Sequence, residues 1–368
     1  MYAREFRDGA KDGLEALEPL DPDKITSFSE LLEAMGKTAF GGRHLGKAFD
    51  VLSAMIEDPD CRVVMTLSGA MTIAKMGKIV TKMIDEGMVH CIISTGALMA
   101  HGLSESVGKT HYRHDPSMSD EELFRKGYNR VYDTLEMEAN LNYVEHVVTR
   151  TVKRLNQDRP LSSEILTREL GKTLAEEFDG EGILKSAYLK KVPVYIPAFT
   201  DSEVGLDMGI WAMGREVEQA RSKAGPNGDL GILQTILNFY PSFNPYLDLN
   251  SYADTVLSAK RLGIFTIGGG VPRNWAQQVG PYIEIGNLRL GLSVKPPRFQ
   301  YGVRICPEPD YWGGLSGCTY QEGLSWGKFV TPKDGGRFAE VLSDATVVWP
   351  LLMMGLLERK KAGVVRQS

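Results

Sequence analysis

Hydrophobic positions recur at helical spacing over residues 26–57, with Leu31, Leu32 and Met35 on one stripe and Leu45, Phe49, Leu52, Met55 and Ile56 on a second. Ser27 or Ser29 suits the cap of the first helix, because a serine hydroxyl accepts from the orphan amides of a first turn. The period then changes. Arg62–Leu67 is a short apolar run that stops at Ser68-Gly69-Ala70, as a buried parallel strand would. Thr72–Glu86 returns to helical spacing, and Met88–Gly96 is a second apolar run closed by glycine. Strand, helix and strand in this order make a βαβ unit. Val192–Pro197, Gly263–Ile267, Gln300–Ile305 and Asp344–Trp349 read as further strands, with helical patterns between them. The expected fold is therefore α/β: a Rossmann-like, doubly wound, mostly parallel sheet with helices on both faces. The expected division is an N-terminal helical segment over 1–60, one Rossmann-like catalytic domain over 61–355, and a basic, solvated tail over 356–368. Residues 222–250 carry Gly225, Pro226, Asn227, Gly228, Pro241, Asn244 and Pro245, and read as a loop or lid rather than a domain linker.

Composition narrows the classes. Hydrophobic content of 43% and charged content of 24% are those of a globular chain, and a net charge of −5 gives no basic footprint for nucleic acid. No run of about 18 apolar residues offers a membrane span, and Met1–Asp8 lacks the apolar core of a signal peptide. Cys61, Cys91, Cys306 and Cys318 are far apart with no Cys-x-x-Cys pair, which fits reduced thiols in the cytoplasm better than zinc or disulfides.

Small residues follow the strand candidates at Ser68-Gly69-Ala70, Ser94-Thr95-Gly96-Ala97, Thr200-Asp201-Ser202 and Gly268-Gly269-Gly270. In a doubly wound sheet ligands bind beyond the carboxyl ends of the strands, where small residues let amides approach a phosphate or ribose. The same glycines also suit plain turns. The standard dinucleotide fingerprint is absent, since Gly268–Arg273 lacks the third glycine. A phosphate loop fails on spacing as well: five residues separate Gly102 from Gly108-Lys109-Thr110 where four are needed, and Leu166 stands where the Gly171-Lys172-Thr173 block would need glycine. His101, His111 and His114, with Asp115, match no standard metal-ligand spacing, so capping, ribose contact or exposure is expected there and no metal.

One lysine stands out. Lys328 lies in Glu322-Gly323-Leu324-Ser325-Trp326-Gly327-Lys328-Phe329, an apolar setting in which desolvation lowers an ammonium pKa and frees a nucleophilic amine able to form a Schiff base. On local chemistry alone, the plainer and favoured reading is a surface lysine just before a strand that starts near Phe329.

The stretch Ser316–Lys328 resembles the active-site block of deoxyhypusine synthases, in which a Ser-Gly pair precedes Glu-Ala-Val-Ser-Trp-Gly-Lys. Further stretches resemble that family in the same order. They are Leu31–Ala48, Thr66–Met71, Ser94–Ala97 with His101 and Gly108–Tyr112, Asn129–Asp133, Ile196–Ser202, Gly268–Pro272 and Ser343–Leu352, the last resembling the family's Asp-Ala-Thr closing strand. The resemblance implies NAD as cofactor, a polyamine such as spermidine as substrate, and a homotetramer with active sites between paired subunits. It implies that Lys328 carries an aminobutyl group as an imine and that Trp326 walls the alkyl chain. Glu322 and Ser316 would contact the polyamine. Ser68, Gly69, Thr95, Gly96, Asp201, Gly269, Gly270 and Asp344 would line the NAD site.

The chain also departs from the family. Where the family has Lys-His, with the histidine a proton shuttle, Arg273-Asn274 stands, and asparagine does not exchange a proton near neutral pH. Trp312 and Leu315 occupy the region where family aspartates grip the polyamine, leaving Asp310 and Asp207 as shifted substitutes. The expected function is thus an NAD-dependent aminobutyl transferase with a small-amine acceptor, giving a homospermidine-type product. The alternatives are a deoxyhypusine synthase acting on a lysine of a translation factor, and a catalytically reduced NAD- or polyamine-binding protein.

Overall fold

The computed structural model describes residues 6–155, 158–223 and 228–367. Its strands are β1 (Cys61–Leu67), β2 (Cys91–Ser94), β3 (Tyr112–Arg113), β4 (Tyr128–Val131), β5 (Thr134–Met137), β6 (Val194–Tyr195), β7 (Arg261–Ile267), β8 (Phe299–Ile305) and β9 (Arg337–Val341). Six of them lie parallel in the order β6-β2-β1-β7-β8-β9. Numbered along the chain within that sheet, this is 3-2-1-4-5-6, the doubly wound order, with its switch point between β1 and β7. The central strands are buried on both faces. Only Arg62 in β1 is exposed and only Arg261 in β7 is half-exposed, which is why both read as continuous apolar runs.

Helices cover both faces. Residues of the helix Gly77–Asp85 pack into one buried cluster and those of Gly270–Gln277 into the other. The N-terminal pair, Phe28–Gly36 and Phe40–Glu57, buries Leu32, Leu45, Phe49, Leu52 and Met55. Ser27 Oγ accepts from Glu30 N at 3.2 Å and caps the first helix. Among the described residues no helix is long and apolar enough to cross a membrane.

Four local expectations change. Asp344–Trp349 is not a strand: Ala345–Gln367 is one helix, and Asp344 Oδ1 accepts from Thr346 N at 2.7 Å to cap it. The β-branched run Thr346-Val347-Val348 suggested a strand, but Val348, Trp349, Leu352, Met353 and Leu356 form one buried helical stripe. The sixth strand is β9 instead, whose polar edge residues hid it. The start of the expected basic tail is docked rather than solvated as far as Lys360: Leu356 is buried, Arg359 sits 4.6 Å over the Phe49 ring and Lys360 pairs with Glu86 at 2.8 Å.

Residues 222–250 are largely helical, in Gly228–Ile236 and Pro245–Leu257, with Asn244 accepting from Tyr246 N as a cap. The punctuating residues mark helix ends rather than a lid; Gly225, Pro226 and Asn227 lie outside the described residues. The small antiparallel sheet β3-β5-β4 had no expectation attached to it.

Candidate active site

Beyond Leu67 and Ile267 the chain turns away on opposite faces, which opens the switch-point crevice. Ser68 Oγ accepts from Gly269 N at 2.8 Å and donates to Ile267 O at 3.3 Å, tying the two strand ends together. A Cβ on Gly269 would lie 2.5 Å from Ser316 Cα, so only glycine lets this turn rest against Ser316-Gly317. Thr95 N donates to Leu67 O at 3.2 Å, and Gly96 opens the helix Gly96–Ser106 against the Ser202 side chain. Ser68, Gly69, Thr95, Gly96, Gly269, Gly270 and Ser316 thus gather around adjoining strand ends. Asp201 is exposed and immediately precedes Ser202, the cap of the helix Glu203–Gly214. Asp344 stands beyond β9, at the sheet edge, occupied with its own helix cap.

Lys328 is delivered from the β8 side. The helix Tyr320–Ser325 is capped by Thr319, and Gly327, at φ 67°, turns the chain back in a conformation that favours glycine. Lys328 N donates to Gly323 O at 3.2 Å and its carbonyl accepts from Phe299 N at 3.0 Å, so its backbone is fixed to the start of β8. Phe329 makes a single bridge to Phe299 and begins no strand. The Lys328 side chain is 9% exposed; Nζ donates to Asn274 Oδ1 at 3.2 Å and lies 5.9 Å from the Trp326 ring centre. Burial pushes the ammonium below its ordinary value of 10.5; Cys318 and Glu322 oppose that shift and Arg273 adds to it. Trp326 is 63% exposed and forms an open wall beside the amine. Glu322 is exposed on the same short helix.

Two expected polyamine contacts are not part of this array within one chain. Asp207 lies on the helix after β6, at the opposite wing of the sheet, where burial together with Glu145 and Glu203 pushes its carboxyl up to about 6. Asp310 packs its Cα against Gly317, while its exposed side chain faces a cleft that His44 and Lys47 also line.

A buried polar network was not foreseen. Glu136 on β5 is fully buried and accepts from His111 Nε2 at 2.7 Å, His101 Nδ1 at 3.1 Å, Ser104 Oγ at 3.3 Å, Asn140 Nδ2 at 2.8 Å and Met137 N at 3.0 Å. Lys75 Nζ lies 2.8 Å from His111 Nδ1, which makes that nitrogen an acceptor and puts the ring proton on Nε2, toward Glu136. His101, His111 and Glu136 converge closely enough to hold a metal, but this proton arrangement makes them a hydrogen-bond network. The available signal was the lone acidic residue in Leu135-Glu136-Met137 together with two nearby histidines.

A parallel sheet in the doubly wound order, with helices on both faces and a small-residue crevice at its switch point, defines an α/β protein of the Rossmann-like class. The family model for deoxyhypusine synthase matches residues 30–356. The chain is 31% identical to a probable deoxyhypusine synthase 2 of Methanosarcina mazei, over 95% of this chain and 92% of that one. It is 30% identical to a probable deoxyhypusine synthase 2 of Methanosarcina acetivorans (93% of this chain and 89% of that one) and to another of Archaeoglobus fulgidus (91% and 98%). The fold is similar to a solved structure described as a candidate deoxyhypusine synthase from Entamoeba histolytica, with TM-score 0.56 at 13% identity, covering 93% of this chain and 97% of that one. The chain belongs to the deoxyhypusine synthase family, whose members are transferases.

Proposed function

We propose that the protein is an NAD-dependent aminobutyl transferase that takes its group from a polyamine such as spermidine, carries it on Lys328 and delivers it to a small amine. The observation that carries this reading is Lys328 itself: buried, depressed in pKa, and held by Asn274, which lies on the helix that opens at the glycine turn of β7. What supports a dinucleotide there is the pair of helix N-termini at Gly96 and Gly270, together with the glycine turn Gly268-Gly269-Gly270 between them and Ser316. When bound, NAD would supply the hydride acceptor for the carbon beside the polyamine's secondary amine, and the donor that closes the cycle.

The chain's own residues do the rest. The neutral Lys328 amine attacks the oxidised carbon, the C–N bond to the departing diamine breaks, and the aminobutyl group stays on Nζ as an imine. An acceptor amine then attacks the same carbon and frees the lysine. Asn274 Oδ1 orients Nζ, and Trp326 shields the alkyl chain from water. Asn274 removes the histidine proton shuttle, which favours an acceptor that brings its own free amine. The names of the archaeal relatives favour the second reading, transfer to a protein lysine.

The same proposal includes a cytoplasmic homotetramer. Asp207 and Lys328 lie on different wings of one chain, and the exposed apolar residues Leu206, Ile210, Trp312 and Leu315 support subunit pairing that unites the two wings.

Incubation with NAD, spermidine and putrescine should yield homospermidine and 1,3-diaminopropane by chromatography. Absence of any NAD-dependent polyamine turnover would count against the proposal. Gly269→Ala should displace the Ser316 turn and weaken NAD binding by about tenfold or more in calorimetry. Asn274→His should add a limb to the pH profile of kcat near the histidine range of about 6–7.

A further inference from the structure

Residues 316–320 lead from the contact with Gly269 into the short helix that delivers Lys328, and they belong to no strand. Charged side chains hold the backbone there instead. Arg304 Nη1 donates to Ser316 O at one end, and Glu340 Oε1 accepts from Tyr320 N at 2.6 Å at the other. Between them Arg273 Nη1 donates to Cys318 O at 2.6 Å. Arg304 and Glu340 stand opposite each other on β8 and β9, and Arg304 Nη2 donates to Glu340 Oε2 at 3.1 Å, so one ion pair grips both ends of the segment. Arg304 is 6% exposed. Burying a guanidinium is costly, and β8 and β9 already pair through their backbones, so the ion pair calls for another role.

We infer that Arg304 and Glu340 are positioning residues for the transfer reaction: the pair sets where the lysine helix starts, and so where Lys328 Nζ stands against Asn274. Contacts run unbroken from Glu340 to that amine. Tyr320 opens the helix Tyr320–Ser325, and its first-turn amide, which has no partner within the helix, bonds to Glu340. The helix has 6 residues, under two turns, and so little length over which to absorb a shift at its start. Gly323 O accepts from Lys328 N at 3.2 Å, and Nζ donates to Asn274 Oδ1 at 3.2 Å. Displacing Tyr320 therefore moves the amine, and a misplacement of about 1 Å costs about 100-fold in rate.

This rests on Lys328 being the nucleophile of the proposed transfer, and two readouts on the full-length protein keep the two ideas apart. The first needs neither polyamine nor NAD. Lys328 is labelled with acetic anhydride at one fixed pH and scored by peptide mass mapping against Lys360, which pairs with Glu86 elsewhere in the fold. Glu340→Ala should loosen the amine from Asn274 and raise this ratio by about fivefold, the worth of one hydrogen bond, with Lys360 labelled at the wild-type rate. Arg304→Met should do the same, and it decides the matter if Glu340→Ala does not fold. The second readout is turnover, counted per NAD site by calorimetry. Glu340→Ala should lower kcat by about 100-fold while KM for spermidine stays within about threefold. Arg304→Lys, whose ammonium still donates to Ser316 O and Glu340, should recover both readouts to within about fivefold of wild type. A folded Glu340→Ala with the wild-type labelling ratio, a labelling rise shared by Lys360, or a raised ratio with unchanged kcat would overturn the role. If the wild-type protein turns over no polyamine, the transfer reading fails by itself and the labelling ratio alone decides the positioning.

Discussion

Lys328→Ala should abolish aminobutyl transfer, lowering kcat by about 10,000-fold or more, because the proposed imine forms on this buried amine. Binding should survive. The crevice is built from strand ends and the Ser316 turn, none of which Lys328 supports, so NAD affinity in calorimetry should stay within about threefold. Lys328→Arg should be equally inactive, since a guanidinium keeps its proton and cannot add to an imine carbon. Activity within about tenfold of wild type in Lys328→Ala would instead mean that transfer does not pass through a Lys328 imine.

Glu136→Ala should destabilise the fold by about 3–5 kcal/mol, the usual cost of removing one partner from a buried, charge-assisted network. His101, His111, Ser104, Asn140 and the amide of Met137 would all lose their acceptor. Urea unfolding at pH 7 measures the loss. The pH dependence has a definite sign. Burial by itself would raise the Glu136 pKa, but hydrogen bonds from His101, His111 and Asn140 outweigh it and hold the carboxyl below its ordinary 4.5. The stabilisation is therefore fully present above about pH 4.5 and is lost as pH falls toward the depressed folded value. Glu136→Gln should flatten this acid limb while remaining less stable than wild type at pH 7.

The doubly wound sheet was legible because its central strands are buried on both sides. Cys61–Leu67 and Arg261–Ile267 leave only arginines toward solvent, so their apolar runs could hardly be read otherwise. The edges were harder. Arg337–Val341 carries Arg337 and Glu340 and looks polar, while the helix from Ala345 opens on a β-branched run that imitates a strand. The discriminating signal is the helix cap at Asp344, whose Oδ1 accepts from Thr346 N.

At the active site, Lys328, Trp326 and the glycine turn were visible because each sits in a short stretch with distinctive neighbours. What joins them was not. Arg304 and Glu340, which brace the Ser316 turn and the first residue of the lysine helix, Tyr320, come from two strands, and the parallel pairing of β8 with β9 brings them together. Charge alone marks Asp207 and Asp310 in the sequence; the sheet topology puts the first on the far wing, and the turn after Pro309 directs the second toward another cleft.

The most direct measurement is reductive trapping. Protein incubated with NAD and spermidine is treated with borohydride, and its peptides are mapped by mass spectrometry. An aminobutyl adduct on Lys328, absent when NAD is left out, is the expected result. Polyamine turnover with the adduct on a different lysine, or with none at all, would contradict the assignment of Lys328 as the carrier.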